Sequence, residues 1–272
     1  MTNNDITKIY FCGDEIAALY QGSTLIFKKS GGGSTTEPTG VYTVRGTLKP
    51  DSTVQSIQLR VNGINEQIDI NEDKTFEHTF VNVPVTYINN FTSACKDELK
   101  TLDLSSFDTS QVTSMNEAFY KCTNLTSIDL TNLDTSNVTY MNSMFYNCNS
   151  LKLLDASNFN TSKVTDMSGM FFYDSELIDL YMNFDVSSVK NFDYIFVLSG
   201  NLKNVVGKFE GTKLNLDLSY CPLTADSAMV FINGLATVTE QRTLSLSATT
   251  YDSLTNEQIA IATAKGWTVT RS

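Results

Sequence analysis

His78 is the single histidine among 272 residues, so zinc sites that need two imidazoles, and the HExxH motif, are excluded. It lies in Phe76-Glu77-His78-Thr79-Phe80, where alternation places it on the opposite strand face from Glu77. No nucleophile accompanies it, which makes it a surface strand residue rather than a general base. The glycine run Gly31-Gly32-Gly33 opens no helix and is not a phosphate loop, and no nucleophile-elbow motif GxSxG is present. Five cysteines, Cys12, Cys95, Cys122, Cys148 and Cys221, form no CxxC pair. An odd count at low density suits buried free thiols in a reducing compartment. Cys122 and Cys148 stand 26 residues apart. Stacked repeats could bring their Cα atoms into the disulfide range of about 4.4–6.8 Å.

Carboxylates are plentiful: 30 Asp and Glu against 19 Lys and Arg, a net charge of -11. A pair of them could in principle hydrolyse a glycoside. Their spacing instead predicts ladders. Asp103, Asp129, Asp155 and Asp179 form one column, and Asp108, Asp134, Asn160 and Asp185 a second. The simpler reading is solvated faces and turn-forming side chains; the sharper one is an acidic strip for calcium, a cation that wants several oxygens. Residues 91–202 carry six basic and fourteen acidic groups, net -8, whereas residues 1–29 and 203–272 are each balanced. Such a surface repels phosphate backbones, so nucleic acid is not an expected partner. No apolar run reaches the roughly 20 residues of a membrane span. The start, Met1-Thr2-Asn3-Asn4-Asp5, has neither the basic nor the apolar region of a secretory signal. Together these readings predict a protein that is not an enzyme, with no catalytic residues, metal site or cofactor.

The elements that position these columns come from an internal repeat. Segments beginning at Leu99, Leu125, Leu151, Leu177 and Leu202 are offset by 26, 26, 26 and 25 residues. Within them the apolar columns run Leu102, Ile128, Leu154, Leu180; then Val112, Val138, Val164, Val189; then Phe119, Phe145, Phe171, Phe196. The last column is Cys122, Cys148, Asp174, Ser199. Leu102 and Leu104 alternate as in a strand with one buried face. Val112, Met115, Phe119 and Cys122 recur at steps of 3, 4 and 3, as on a helix face. Asp108-Thr109-Ser110 and its equivalents make the turn between, and Thr113, Thr139 and Thr165 are placed as helix N-caps. The expectation is an α/β solenoid of strand-turn-helix units of about 26 residues. Tyr120, Tyr146 and Phe172 each follow the core Phe of their unit. They either fill the gaps between units or form a half-exposed ladder for glycan, another protein chain or a further copy.

Leu102-Asp103-Leu104-Ser105-Ser106-Phe107-Asp108-Thr109-Ser110, followed by Val112-Thr113-Ser114-Met115, resembles BspA-type leucine-rich repeats, also met in Mycoplasma-type surface lipoproteins. The resemblance spans residues 87–202. It implies a surface-exposed recognition or adhesion scaffold without catalytic residues. The fourth unit departs from it, with Val186-Ser187-Ser188 and no cysteine. Beyond the array, residues 203–272 alternate strand and helix patterns, with a helix over Ala225 to Leu235 and another over Asn256 to Ala264. Gly266 follows the second as its C-cap. This tail is similar to the ends of such repeat proteins from gut bacteria and their phages.

The chain therefore divides into a β meander at 1–29, a Gly/Ser/Thr linker at 30–40, a small all-β domain at 41–86, and the repeats with a C-terminal cap at 87–272. The meander resembles short N-terminal modules of tailed-phage structural proteins, which implies a virion anchor. Ile9, Tyr10, Phe11, Leu19, Tyr20, Leu25, Ile26 and Phe27 are its candidate contacts with other virion proteins. The leading expectation is a phage virion protein, assembled in the bacterial cytoplasm as a homo-oligomer and displaying the repeats to a host-surface glycan or protein. A bacterial cell-surface BspA-like adhesin is the alternative, and a polysaccharide-active enzyme the third.

Overall fold

A computed structural model describes residues 8–12, 15–21, 24–28, 41–81, 85–92 and 95–272. The chain divides into two units, residues 1–38 and 39–272. In the first, β1 (Lys8–Cys12), β2 (Glu15–Gln21) and β3 (Thr24–Lys28) pair as an antiparallel meander, with bulges at Tyr10/Phe11 and Leu19/Tyr20. The side chains of the anchor residues Ile9, Tyr10, Phe11, Leu19, Tyr20, Leu25, Ile26 and Phe27, and the linker 30–40, lie outside the described residues.

The second unit opens with β4 (Val41–Leu48), β5 (Ser56–Val61), β6 (Ile64–Asp69) and β7 (Thr75–Val81). β5 and β6 form a hairpin whose two loop residues, Asn62 and Gly63, have φ of 50° and 79°. A two-residue hairpin turn of this hand suits the twist of the strands, and Asn-Gly adopts it cheaply. β4 lies between β7 and the first repeat strand, β8 (Leu99–Asp103). β4 and β7 thus share a sheet with the repeats, β5 and β6 form one of their own, and buried residues of both lie in one core with the repeats. His78 lies on β7, half-buried and in register with Val44.

The repeat strands are short: β8, β9 (Ser127–Asp129), β10 (Leu153–Ala156), β11 (Asp179–Asp185) and β12 (Asn204–Glu210). They pair in parallel within two sheets, β7-β4-β8-β9 and β10-β11-β12. β13 (Leu216–Leu218), β14 (Arg242–Leu246) and β15 (Trp267–Arg271) make a third parallel sheet.

The expected α/β solenoid is not what forms: the unit is built of small sheets, and the repeats contain no helix. The reason is visible in the backbone. Glu117, Ser143, Gly169 and Tyr194, and again Lys121, Asn147, Tyr173 and Leu198, have φ between 54° and 65°. A right-handed helix cannot hold such residues. Amides alternate instead between two acceptors. Those of Met115, Glu117, Phe119 and Lys121 donate to Tyr140, Asn142, Met144 and Tyr146 of the next repeat, at 2.7–3.0 Å. Those of Ala118, Tyr120 and Cys122 close turns onto the third residue back. A string of turns therefore meets the 3-4-3 apolar spacing as well as a helix would. Thr113, Thr139 and Thr165 are not N-caps; Thr139 and Thr165 donate their hydroxyls to the carbonyls of Thr113 and Thr139.

Helices appear only after residue 224 among the described residues: α1 (Ala225–Gly234), α2 (Ala248–Asp252) and α3 (Asn256–Ala264). Their N-caps are Thr224, Ser247 and Thr255, the last completing a capping box with Gln258.

Inside the repeats the phenylalanines stack. Ring centroids are 5.3 Å apart for Phe119–Phe145, 6.0 Å for Phe145–Phe171 and 5.3 Å for Phe171–Phe196. Each such pair adds about 0.5–1.5 kcal/mol beyond its buried area. Thr109, Thr135 and Thr161 are buried and donate to the carbonyls of Asp134, Asn160 and Asp185. Gly207, at φ 118° on β12, lets the backbone close on β11: a Cβ there would sit 1.9 Å from the Met182 carbonyl oxygen. Gly207→Ala should therefore destabilise the protein by roughly 1–3 kcal/mol, a Tm loss of several degrees by circular dichroism. An unchanged Tm would contradict this close approach.

Candidate functional site

The acidic columns are local structure first. Asp103, Asp129, Asp155 and Asp217 each accept the amide two residues on, from Ser105, Thr131, Ser157 and Ser219, at 2.8–3.0 Å. Asp108, Asp134, Asn160 and Asp185 do the same for Ser110, Ser136, Ser162 and Ser187. These are Asx turns, repeated once per unit. The Asp103 carboxyl is held below its ordinary value chiefly by its hydrogen bonds from Ser105. Asp179, grouped with the first column, instead accepts from the Asn204 side chain at 2.7 Å. Among the described residues, no group of three or more His, Cys, Asp or Glu is placed to hold a metal ion.

Cys122 and Cys148 are free, buried thiols rather than a disulfide. Cys148 Sγ donates to the Phe119 carbonyl at 3.2 Å, and Cys122 Sγ lies 3.0 Å from Thr92 Oγ1. Burial pushes the Cys122 thiol up to about 12 and holds Cys148 well above its ordinary value. Neither is ionised or reactive near neutrality. Asp174 occupies the same column and is 2% exposed. Its Oδ1 accepts the Cys148 amide at 2.7 Å. Burial dominates over that bond and raises its carboxyl well above 3.8.

Tyr120, Tyr146 and Phe172 come together as a continuous half-buried stack, with centroids 4.8 and 4.9 Å apart. They fill the space between repeats and keep part of their surface exposed. Lys121 Nζ lies 5.0 Å above the Tyr120 ring, a cation–π contact. The stack continues through Phe172 to Tyr194, edge-on at 6.1 Å. Tyr194 is 66% exposed. A shallow pocket of about 360 Å³ runs along Tyr146, Phe172 and Tyr194, floored by Ser168 and Gly169. A second, larger groove of about 780 Å³ begins at Asp193 and Tyr194 and extends to Tyr220 and Arg242. Sequence reading missed Tyr194, because the aromatic column shifts there: Val197, not an aromatic, follows Phe196. Its signal was available one turn earlier, as the residue aligned with Gly169.

Residues 86–209 match a family described as Mycoplasma protein of unknown function, DUF285. The match covers the repeats and less than half of the chain. No curated protein and no solved structure matches it.

The buried Asp174 sets a pH dependence. Its folded value lies above the unfolded 3.8, so folding favours the protonated form. The favourable term is complete below 3.8 and is lost as pH rises toward the folded value. Asp174→Asn, which stays neutral and keeps an acceptor, should melt higher than wild type at pH 7. Each kcal/mol relieved is worth about 2–4 °C in a domain of this size. The gap should close as pH falls to 3.8. A wild-type advantage at pH 7 in thermal melts would contradict a carboxyl raised by burial.

Proposed function

We propose that this chain is a non-enzymatic, BspA-like surface protein whose repeats display a recognition face. The observation that carries this is the aromatic stack from Tyr120 to Tyr194: it is half-exposed, continuous over four repeats, and lies within the segment that matches the family. Stacked aromatic side chains offer large contact area at little entropic cost, because their rotamers are already fixed by their neighbours. Residues 1–38, a unit of their own, would serve as the attachment module, with residues 39–272 as the displayed part. Repetition of weak contacts over many copies on one surface would raise avidity without tight single sites.

A second reading places the chain on a tailed-phage particle rather than a cell envelope. The resemblance of the first 29 residues to phage modules favours it. Fractionation of cells and purified particles followed by mass spectrometry separates the two: the chain in the cell-envelope fraction and missing from particles rejects the phage reading.

The recognition face itself is tested by Tyr120→Ser with Tyr146→Ser, assayed for adhesion of the full chain to host cells. Adhesion should fall at least tenfold, with Tm lowered by only a few degrees because both residues are half-exposed. Full adhesion by the folded double variant would reject the face.

A further inference from the structure

The cross-repeat ladder ends open. In each repeat, amides at alternate positions donate forward: Met141, Ser143, Phe145 and Asn147 to the carbonyls of Asp166, Ser168, Met170 and Phe172. Met167, Gly169, Phe171 and Tyr173 then donate to Asn191, Asp193, Ile195 and Val197. The equivalent donors of the last repeat, Phe192, Tyr194, Phe196 and Leu198, have no backbone acceptor among the described residues, and the first two line a groove. The parallel bridges Tyr87, Ser114, Tyr140 and Asp166 stop likewise at Asn191. Beyond this edge lies the groove of about 780 Å³, whose far wall is formed by residues 214–217, Tyr220 and the start of β14.

Three features of the groove suit a peptide backbone. Every earlier copy of this edge holds carbonyls spaced two residues apart, so the chain itself shows what the donors take. Tyr194 and Tyr220, 66% and 46% exposed, stand at the groove as aromatic anchors for side chains of the incoming segment. Lys190, Asp193, Asp217 and Arg242 line it, with Arg242 also paired to Glu240 at 2.8 Å, so its walls offer charges of both signs. Tyr194 holds φ 63°, as Glu117, Ser143 and Gly169 do at the same position of the earlier repeats, so its backbone keeps the geometry of the ladder.

We propose that the groove at Phe192 and Tyr194 binds a peptide segment whose alternate carbonyls accept hydrogen bonds from the open edge, in place of the string of turns that the unit beginning at Leu202 lacks. This is strand addition carried over to a turn ladder. It deepens the recognition reading above by naming the partner chemistry, and rests on that reading for its use at a surface.

The test uses the full chain and an acetylated, amidated peptide with the sequence of residues 164–174, whose carbonyls already serve as acceptors within the repeats. Nuclear magnetic resonance should show the Phe192 and Tyr194 amides moving downfield, with hydrogen exchange slowed at least tenfold on saturation. A scrambled peptide should leave both unchanged. Tyr194→Gly, which keeps the left-handed backbone, should weaken the peptide at least tenfold while Tm holds or rises; Tyr220→Ala should weaken it similarly. Amides indifferent to the peptide overturn the proposal, as does wild-type affinity in both variants. A response to an N-acetylhexosamine oligomer but not to peptide overturns it in favour of a glycan groove. The Tyr120/Tyr146 variant separates the two ideas. If its adhesion is lost while the groove is indifferent to peptide, the recognition face stands and this inference alone fails.

Discussion

The backbone amide has to find an acceptor, and in this protein the acceptor is one repeat away. Regular helices would have satisfied residues 112–122 within themselves. Here half of those donors are sent to the neighbouring repeat, so no repeat is complete by itself. The other features follow from that demand. The carbonyls must lie in register, which fixes the offset near 26 residues. The side chains of each column must then meet their own equivalents, which explains why phenylalanine stacks on phenylalanine and threonine reaches the next turn's carbonyl. Left-handed residues twice per repeat are the geometric means of turning alternate amides outward.

Periodicity in the sequence revealed where the repeats lie, which residues are buried and where the strand columns run. It also located α1, α3 and the left-handed Gly266 that ends α3. It misjudged the second half of each repeat because apolar spacing reports only which residues face inward. Val112, Met115, Phe119 and Cys122 face inward in both a helix and a string of turns. The deciding residues, Glu117 and Lys121, are ordinary helix formers with no sequence mark of a positive φ; only Gly169 and Asn147 hint at it. The aromatic stack was legible because its three members share one column. The groove was not, since it depends on where a backbone ladder stops, and no residue type announces that.

Asp174 shows how strictly the columns are held. A carboxyl stands where neighbouring repeats have thiols or a hydroxyl, at Cys122, Cys148 and Ser199. All four positions are buried. The small polar side chains there make bonds to backbone groups of the repeat before, at Phe119, Cys148 and Phe171 among them. The column requires a compact side chain with a hydrogen-bonding tip, and tolerates different chemistry so long as both conditions are met. That rule accounts for Cys122 and Cys148 standing in one column as free thiols.

The 26-residue ladder also governs how such a chain can change in length. Each internal repeat presents carbonyls to the repeat before it and amides to the repeat after it, in the same pattern. Excising one whole repeat brings two matching edges together and leaves every column intact. Excising half of one takes the columns out of register and orphans the donors beyond the cut. Viable length variants of this architecture are therefore quantised: the displayed face lengthens or shortens in whole repeats, while the terminal edge travels with it unchanged.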